Sequence, residues 1–182
     1  MERDELLKKV DSFNDELINM RRHIHAHPEL SGLENQTAIL ISGYLKKIGG
    51  RVTESVGRTG VVADFGPKDK GFIGLRVDMD ALPIYENTNL SFSSKIDGIM
   101  HACGHDLHTC IGLGVAKIIK DLNLKFGTRI IFQPAEEIAS GARWMIDDGV
   151  TIGLKQILGV HVFPDLLAVS YTHLRAHETY DH

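Results

Sequence analysis

The stretch Thr128-Arg-Ile-Ile-Phe-Gln-Pro-Ala-Glu-Glu137 is the best guide to the fold, because it joins an apolar run to a pair of carboxylates. A short apolar run bounded by turn residues is typical of a strand buried inside a sheet. Pro134 ends the run, and Glu136 and Glu137 follow at once. Neighbouring residues at the end of a strand point in different directions, so one carboxylate can bind a metal while the other faces a substrate. We therefore predict a functional loop directly after this strand.

The segments on either side of this stretch alternate between helix and strand patterns. Helices are predicted at about residues 106–120 and 139–147, and a second apolar strand, Gln156 to Val162, follows them. Strands that alternate with helices of this length form α/β domains, in which a largely parallel central sheet is flanked by helices. In such sheets, binding sites gather at the carboxyl ends of the strands. The sequence therefore predicts an α/β fold with a site at one edge of its sheet.

The N-terminal half adds two helices and several shorter strands. Apolar residues three and four positions apart predict one amphipathic helix from Leu6 to Ile24, and a second helix is predicted from about Glu34 to Ile48. Short β-like runs follow at residues 51–56, 60–65 and 71–77. Residues 80–100 have the composition of a long loop, and long loops in compact domains are often functional.

The composition is that of an ordinary globular protein and excludes several classes of function. The chain is 43% apolar and 24% charged, and its net charge of -4 comes without any cluster of Lys and Arg, so it has no nucleic-acid-binding surface. Its apolar runs are too short to span a bilayer, and its charged N-terminus lacks the apolar stretch of a signal peptide. We therefore expect a cytoplasmic protein that binds neither nucleic acid nor membranes.

Cys103 and His105 lie in the motif His101-Ala-Cys-Gly-His-Asp-Leu-His108 and have the spacing of a metal-binding pair. In an extended loop, residues at i and i+2 can project to the same side, and Gly104 lets the backbone bend between them. One alternative is a buried free cysteine beside a surface histidine. Another is a nucleophilic Cys/His pair, which this spacing supports poorly because the thiol and its base do not readily align.

His161 ends the apolar run Ile157-Leu-Gly-Val-His161 and adds a further nitrogen donor. A histidine in such a run is also commonly a core residue, and a Glu-Glu pair is commonly a solvated surface step. Taken together, however, these residues offer the mixture of sulfur, nitrogen and oxygen donors that zinc accepts. The predicted metal ligands are Cys103, His105, Glu137 and His161. Glu136 is the predicted general base for the attacking water.

Asp78 and Asp80 alternate along a predicted strand and would face the same side. Two like charges so close are unfavourable unless a cation or hydrogen-bond donors compensate them. We predict that Asp80 orients a metal ligand. For His108, contact with the substrate or its water and a solvent-facing position on a helix stay open as alternatives. Of the three histidines in His23-Ile-His-Ala-His27, at least two are expected to be surface or capping residues, because i and i+2 diverge on a helix.

Five motifs, in order along the chain, resemble those of the M20 metallopeptidase family in its amidohydrolase branch. This branch includes N-acyl-amino-acid amidohydrolases, hippurate hydrolases and indole-acetyl-amino-acid hydrolases. The resemblance covers roughly residues 15 to 166. The motifs are Arg22-His-Ile-His-Ala-His-Pro-Glu-Leu-Ser31, Asp78-Met-Asp-Ala-Leu-Pro83, His101-Ala-Cys-Gly-His-Asp106, Gln133-Pro-Ala-Glu-Glu137 and Gly159-Val-His-Val-Phe-Pro164.

The resemblance implies hydrolysis of the amide bond of N-acyl-amino acids at a centre of two divalent metal ions, which could be zinc, manganese, cobalt or nickel. It implies the same ligands and the same acid/base residue, Glu136, as the residues themselves. The substrate would be a small molecule. The family fold is an α/β catalytic domain with an inserted lid domain that mediates dimerisation, so a homodimer or higher oligomer is expected for the full-length enzyme.

The sequence departs from the family pattern after the His161 strand. The family continues there into the lid domain and then returns with a further metal-binding histidine, and neither is present in this sequence. We therefore interpret residues 1–168 as the N-terminal part of a metallohydrolase catalytic domain. Residues 169–182 lack an apolar period and are interpreted as a non-native tail. The alternative function for this chain is an inactive metal-binding fragment without catalysis.

Overall fold

A computed structural model describes residues 3–122 and 124–163, which form a five-stranded sheet with helices on both faces. The interpretation of residues 169–182 as a tail lies outside these residues. The strands are β1 (Arg51–Val56), β2 (Gly60–Phe65), β3 (Phe72–Asp78), β4 (Gly127–Gln133) and β5 (Leu154–Gly159). The helices are α1 (Arg3–Asp11), α2 (Asn14–Ala26), α3 (Asn35–Lys47), α4 (His105–Ile119) and α5 (Gly141–Asp147). None of the described helices is long and apolar enough to cross a membrane.

The strand order is β1-β2-β4-β3-β5, with β3 parallel to both of its neighbours. The pairs β1–β2 and β2–β4 are antiparallel, so β2 alone among the described strands runs against the others. The α/β architecture is confirmed, and the sheet is mixed only through β2. Because β3, β4 and β5 are parallel neighbours, their carboxyl ends meet at one edge of the sheet.

Alternation along β4 produces the two buried faces of the sheet. Ile130 and Phe132 are fully buried in the cluster that contains Leu45 of α3 and Leu113 of α4. Ile131, between them, points to the other face and packs in the cluster of Met145 from α5. Successive side chains of a strand point to opposite sides, so a wholly apolar run is expected where both faces are covered. The end of β4 is therefore held by packing on both sides.

The structure differs from the sequence prediction at several element boundaries, two of which bear on the packing and the site. The predicted helix from Leu6 to Ile24 is divided into α1 and α2 at Ser12 and Phe13. Phe13 leaves the helical path, with φ -129° and ψ 11°, and its buried ring lies under Lys117 Nζ, 4.8 Å from the ring centroid. Apolar periodicity does not register such a break, because Phe13 keeps its place on the apolar face. The last strand ends at Gly159, so His161 follows β5 rather than lying within it.

Candidate metal centre

The carboxyl edge of the parallel strands brings the predicted site residues together. Asp78 is the last residue of β3, the two glutamates follow β4, His161 follows β5, and His105 is the first residue of α4. Donor atoms of Cys103, His105 and Glu137 all lie within 4.8 Å of one another. Cys103 Sγ is also 3.6 Å from His161 Nε2. The structure therefore gathers all four predicted ligands at one place.

His105 is completely buried and has one ring nitrogen without a partner. Its Nδ1 donates to Asp80 Oδ1 at 3.1 Å, so Nε2 of the neutral ring carries a lone pair. This Nε2 has no hydrogen-bond partner, and neither does Glu137 Oε1, which lies 3.7 Å away. Two buried lone-pair atoms facing each other are unfavourable unless a cation or a donor lies between them. The donor set therefore fits a metal ion.

The charges around His105 lead to the same conclusion. Burial opposes protonation of His105, but its hydrogen bond to Asp80 and the nearby carboxylates of Asp78 and Glu137 raise its pKa above the ordinary value. Burial, and then the charge of Glu137, raise the pKa of the Cys103 thiol to about 11. Such a carboxylate-rich pocket is one that a divalent cation would neutralise, and the cation would hold the thiol as a thiolate.

The raised pKa of Cys103 also argues against the nucleophilic Cys/His pair, because the thiolate is the nucleophilic form. His161 is the histidine nearest to its sulfur among the described contacts. His161 Nδ1 donates to the Val162 carbonyl at 2.7 Å, so Nε2 faces Cys103 with a lone pair. A lone pair directed at the sulfur is suited to a shared metal ion.

Gly104 gives the turn between Cys103 and His105 its shape. Its φ is +82°, in the left-handed region that favours glycine, and a Cβ there would lie 2.8 Å from Val162 Cγ2. This turn forms the N-cap of α4, so His105 begins a regular helix while Cys103 stays in the preceding loop. The expectation that glycine bends the chain between the two side chains agrees with this geometry.

Asp80 contacts both His105 and Glu137, as an orienting group should. It accepts hydrogen bonds from His105 Nδ1, from Ser31 Oγ at 2.6 Å and from the backbone N–H of Glu137 at 3.0 Å. Burial alone would raise the pKa of this carboxyl, but these three donors lower it to about 2. Asp80 therefore stays ionised and fixes both the ring of one predicted ligand and the backbone of another.

The two adjacent glutamates both approach His105 Nε2, but they differ in exposure. Glu137 has 17% of its side chain exposed and turns towards His105. Glu136 has 35% exposed, and its Oε2 lies 3.9 Å from His105 Nε2. The more exposed carboxylate is thus the one that can reach a substrate and its water, while the other is more enclosed.

His108 has a role that neither alternative from the sequence describes. It is completely buried, its Nδ1 donates to Asp78 Oδ1 at 2.5 Å, and its Nε2 accepts the backbone N–H of Val162 at 2.8 Å. Both ring nitrogens are therefore used, although His108 also lies among the side chains that could hold a metal. The available signal was its position three residues after His105, which places both rings on one face of α4.

Among the three histidines of α2 and its C-cap, His25 is the buried one. It donates from Nδ1 to Asp106 Oδ2 at 2.8 Å, and its Nε2 lies 3.2 Å from Glu86 Oε1. His23 is exposed and His27 is partly exposed, as expected for at least two of the three. His25 therefore joins α2, α4 and the long loop that begins after β3.

A cavity of about 740 Å³ opens beside the candidate centre. Cys103 and His161 lie on its wall, and much of the remaining wall is apolar. The apolar wall residues include Leu90, Met100, Leu107, Val162 and Phe163. Small-molecule sites are typically concave and mostly apolar, with a few polar groups that fix the orientation of the ligand. The cavity is therefore suited to a small molecule with an apolar part.

Comparison with known proteins gives consistent similarities. The family described as peptidase family M20/M25/M40 matches residues 74–175. An N-acetylcysteine deacetylase of Bacillus subtilis is 47% identical over 85% of this chain and 42% of its own length. An N-acyl-L-amino acid amidohydrolase of Geobacillus stearothermophilus is 39% identical over 91% of this chain and 46% of its own length. The chain thus spans less than half the length of these relatives.

Among solved structures, a dinuclear metal-binding peptidase of the M20 family from Bacillus subtilis is similar to this chain throughout the aligned part. It shares 46% sequence identity and superimposes with a TM-score of 0.81. The alignment covers 86% of this chain and 45% of that one.

Proposed function

The chain belongs to peptidase family M20/M25/M40, and on this premise we propose that the whole protein hydrolyses the amide bond of N-acyl-amino acids at a two-metal centre. The observation that carries the proposal is the pair of buried, unpartnered atoms, His105 Nε2 and Glu137 Oε1, beside the Cys103 thiol. The names of the two relatives support the substrate class, because both describe release of an amino acid from its N-acyl form.

The proposed ligands are Cys103, His105, Glu137 and His161, and Asp80 orients two of them. Bound divalent cations would supply Lewis-acid polarisation of the scissile carbonyl and a water of lowered pKa. Zinc, manganese, cobalt and nickel are the candidate ions, and a thiolate ligand favours the softer ones. The similar dinuclear metal-binding peptidase supports two ions rather than one.

Glu136 is the proposed general base and acid. Its carboxylate accepts a proton from the attacking water as the new C–O bond forms at the amide carbon. It then gives this proton to the leaving nitrogen as the C–N bond breaks, so the products are a carboxylic acid and a free amino acid. Its partly exposed position next to His105 supports this role. The apolar cavity wall would hold the acyl group.

The test combines metal content with turnover. Metal bound per chain is measured by elemental analysis of the purified protein, while hydrolysis of N-acetyl-amino acids and hippurate is assayed in parallel. We expect near-stoichiometric metal in the wild-type protein, and a weaker but still measurable binding of Zn²⁺ in Glu137→Gln. Glu136→Gln should keep the metal and reduce turnover by about 10²–10⁴-fold, while Glu5→Gln, an exposed control in α1, should change neither. Full turnover in Glu136→Gln would rule out this assignment of the base.

One observation favours the second candidate, a metal-binding chain without catalysis. Most residues of β5 are exposed, and so is His161, which follows this strand. The part of the site around His161 is therefore open to solvent. Stoichiometric metal without turnover in the same assay would select this outcome for the 182-residue chain. The cytoplasmic location and the dimeric state of the whole protein stay predictions.

A further inference from the structure

Glu34 is a completely buried carboxylate that is not among the proposed metal ligands. It precedes α3 at the N-cap position but makes no side-chain hydrogen bond to that helix. Glu29 does so instead, because its two carboxylate oxygens accept the backbone N–H groups of Gln36 and Thr37. A buried carboxylate is costly unless donors compensate it, so the partners of Glu34 indicate what it is for.

The three donors to Glu34 come from three separate segments of the chain. Its Oε1 accepts the backbone N–H of Gly32 and that of Ala135, each at 2.8 Å. Its Oε2 accepts the hydroxyl of Thr59 at 2.5 Å. Glu34 thus joins the loop before α3 and the turn between β1 and β2 to the loop that follows β4. The last of these carries Glu136 and Glu137.

Ala135 is the point in this loop that needs support. Its φ is +50°, a left-handed conformation that is unfavourable for an L-residue. The loop then folds back so tightly that a Cβ on Gly141 would lie 1.6 Å from the Pro134 carbonyl oxygen. The Ala135 carbonyl accepts the N–H groups of Ser140 and Gly141, at 3.2 and 3.1 Å. Backbone strain of this kind persists only where the surroundings hold it.

We propose that Glu34 is a positioning residue, which directs Glu136 and Glu137 by holding the backbone of Ala135. Asp80 holds the N–H of Glu137 in the same way. Two buried carboxylates, those of Glu34 and Asp80, therefore fix the backbone on either side of Glu136. The inference rests on the proposed function and adds a residue from a distant loop to it.

The hydrogen bonds also predict which replacement Glu34 tolerates. A glutamine can accept both backbone N–H groups with its amide oxygen, and the Thr59 hydroxyl can turn to accept from the amide nitrogen. An alanine leaves the N–H groups of Gly32 and Ala135 buried without an acceptor. Glu34→Gln should therefore preserve the loop, whereas Glu34→Ala should release it.

The first experiment is hydrogen–deuterium exchange of the metal-free, 182-residue chain. Glu34→Ala should raise the exchange of residues 133–141 about tenfold or more, with Glu34→Gln close to wild type. Glu29→Ala is the matched control, since it should loosen the start of α3 and leave residues 133–141 unchanged. If Glu34→Ala does not fold, Thr59→Val serves in its place. It removes one of the three donors to Glu34 and should raise the exchange of residues 133–141 by a smaller factor. Unchanged exchange in residues 133–141, or an equal rise in Glu29→Ala, would overturn the proposal.

The second experiment is a double-mutant cycle on Zn²⁺ affinity. Glu34→Ala should weaken the binding of Zn²⁺ by about 10–100-fold in the wild-type background. In a Glu137→Gln background the same change should have little further effect, because Glu34 acts on the metal through this loop. Equal losses in both backgrounds would show general destabilisation and overturn the proposal. If the wild-type chain binds no Zn²⁺, the proposed function fails, while the exchange experiment still decides the role of Glu34.

Discussion

At the scale of single residues, a buried pair, Asp78 and His108, supports the backbone next to His161. Burial would raise the pKa of Asp78, but its hydrogen bond from His108 and the charges of His105 and Arg76 hold this pKa below the ordinary value. The ionised carboxylate accepts a hydrogen bond from His108 Nδ1–H, which leaves Nε2 with a lone pair that accepts the N–H of Val162. The tautomer of one ring therefore sets the position of the chain at His161.

We predict that His108→Ala lowers the free energy of unfolding by about 2–4 kcal/mol in the metal-free chain. The change removes the donor to Asp78 Oδ1 and leaves the Val162 N–H without an acceptor, while the ion pair of Arg76 with Asp78 Oδ2 remains. Urea unfolding followed by circular dichroism measures the loss. His23→Ala, the same replacement at an exposed position of α2, should have little effect. Equal losses in the two variants would show that the buried pair contributes nothing special.

The pair of His25 and Asp106 predicts a pH dependence of stability. The hydrogen bond to Asp106 is the largest cause that raises the pKa of His25 above 6.5. The stability that His25 contributes is therefore fully present below pH 6.5, and it is lost as the pH rises through the pKa of His25 in the folded chain. Burial opposes ionisation of Asp106, but the hydrogen bond from His25 holds the pKa of Asp106 below 3.8. The stability that Asp106 contributes is therefore lost only as the pH falls through its pKa in the folded chain. Both are present in mildly acidic solution.

The loss of stability in His25→Gln should therefore be greatest near about pH 5 and shrink towards alkaline pH. Urea unfolding of the metal-free chain at several pH values measures it. His23→Gln is a control whose effect on stability should have the opposite pH trend. Burial, and then the neighbouring His27 and Lys95, lower the pKa of His23 rather than raise it. A loss in His25→Gln that does not vary with pH would contradict the ion pair.

The sequence was informative about the site where chemistry and strand ends coincide, and uninformative where the partner is remote. The proximity of Cys103, His105 and Glu137 could be predicted, because a donor set of this kind is rare beside the ends of apolar runs. The role of His108 depends on Asp78 and Val162, which only the folded chain brings to it. Glu34 has the appearance of an ordinary glutamate at the start of a helix, and nothing local distinguishes it from Glu29.

At the scale of elements, the loop between β4 and α5 is the tightest connection of the site. A Cβ on Gly141 would meet the Pro134 carbonyl oxygen at 1.6 Å, and backbone cannot yield as a flexible side chain can. We predict that Gly141→Ala lowers the free energy of unfolding by about 2 kcal/mol or more and weakens metal binding through the displaced loop. Thermal unfolding and metal content per chain measure the two effects.

Gly43 is the matched control for this replacement. It lies inside α3, is exposed, and has nothing within 4 Å of the position of a new Cβ. Alanine there should raise the free energy of unfolding by about 0.5–1 kcal/mol, because it restricts the unfolded chain and favours the helix. The opposite signs separate the steric effect at Gly141 from the general effect of replacing a glycine. A stable Gly141→Ala would mean that the loop tolerates another path.

Element boundaries followed from the sequence where local chemistry sets them. The strands β1 and β2 match the predicted runs, because glycine and charged residues end each run. The break between α1 and α2 could not be predicted, since it depends on the contact of the Phe13 ring with α4. The end of β5 was also missed. Apolar residues continue past Gly159, but the pairing with β3 stops at Arg76 opposite Gly159.

At the scale of the whole molecule, the two edges of the sheet differ in their protection. Strand β1 has exposed, charged residues such as Arg51 and Glu54, which discourage pairing with another chain. Strand β5, at the other edge, has Ile157 55% exposed and Leu158 61% exposed. Its outer backbone groups pair with no other strand among residues 3–122 and 124–163. An apolar edge strand of this kind is a template for association.

We predict that the purified 182-residue chain associates with itself through β5 as its concentration rises. Sedimentation equilibrium should give an average mass above that of a monomer. Ile157→Lys should restore the monomer, because a lysine on an edge strand places a charge where a second strand would pair. Ile39→Lys is the control, since Ile39 is 64% exposed on α3, away from the edge, and its replacement should leave the association unchanged. If both lysine variants reduce the average mass equally, general surface hydrophobicity rather than the open edge causes the association.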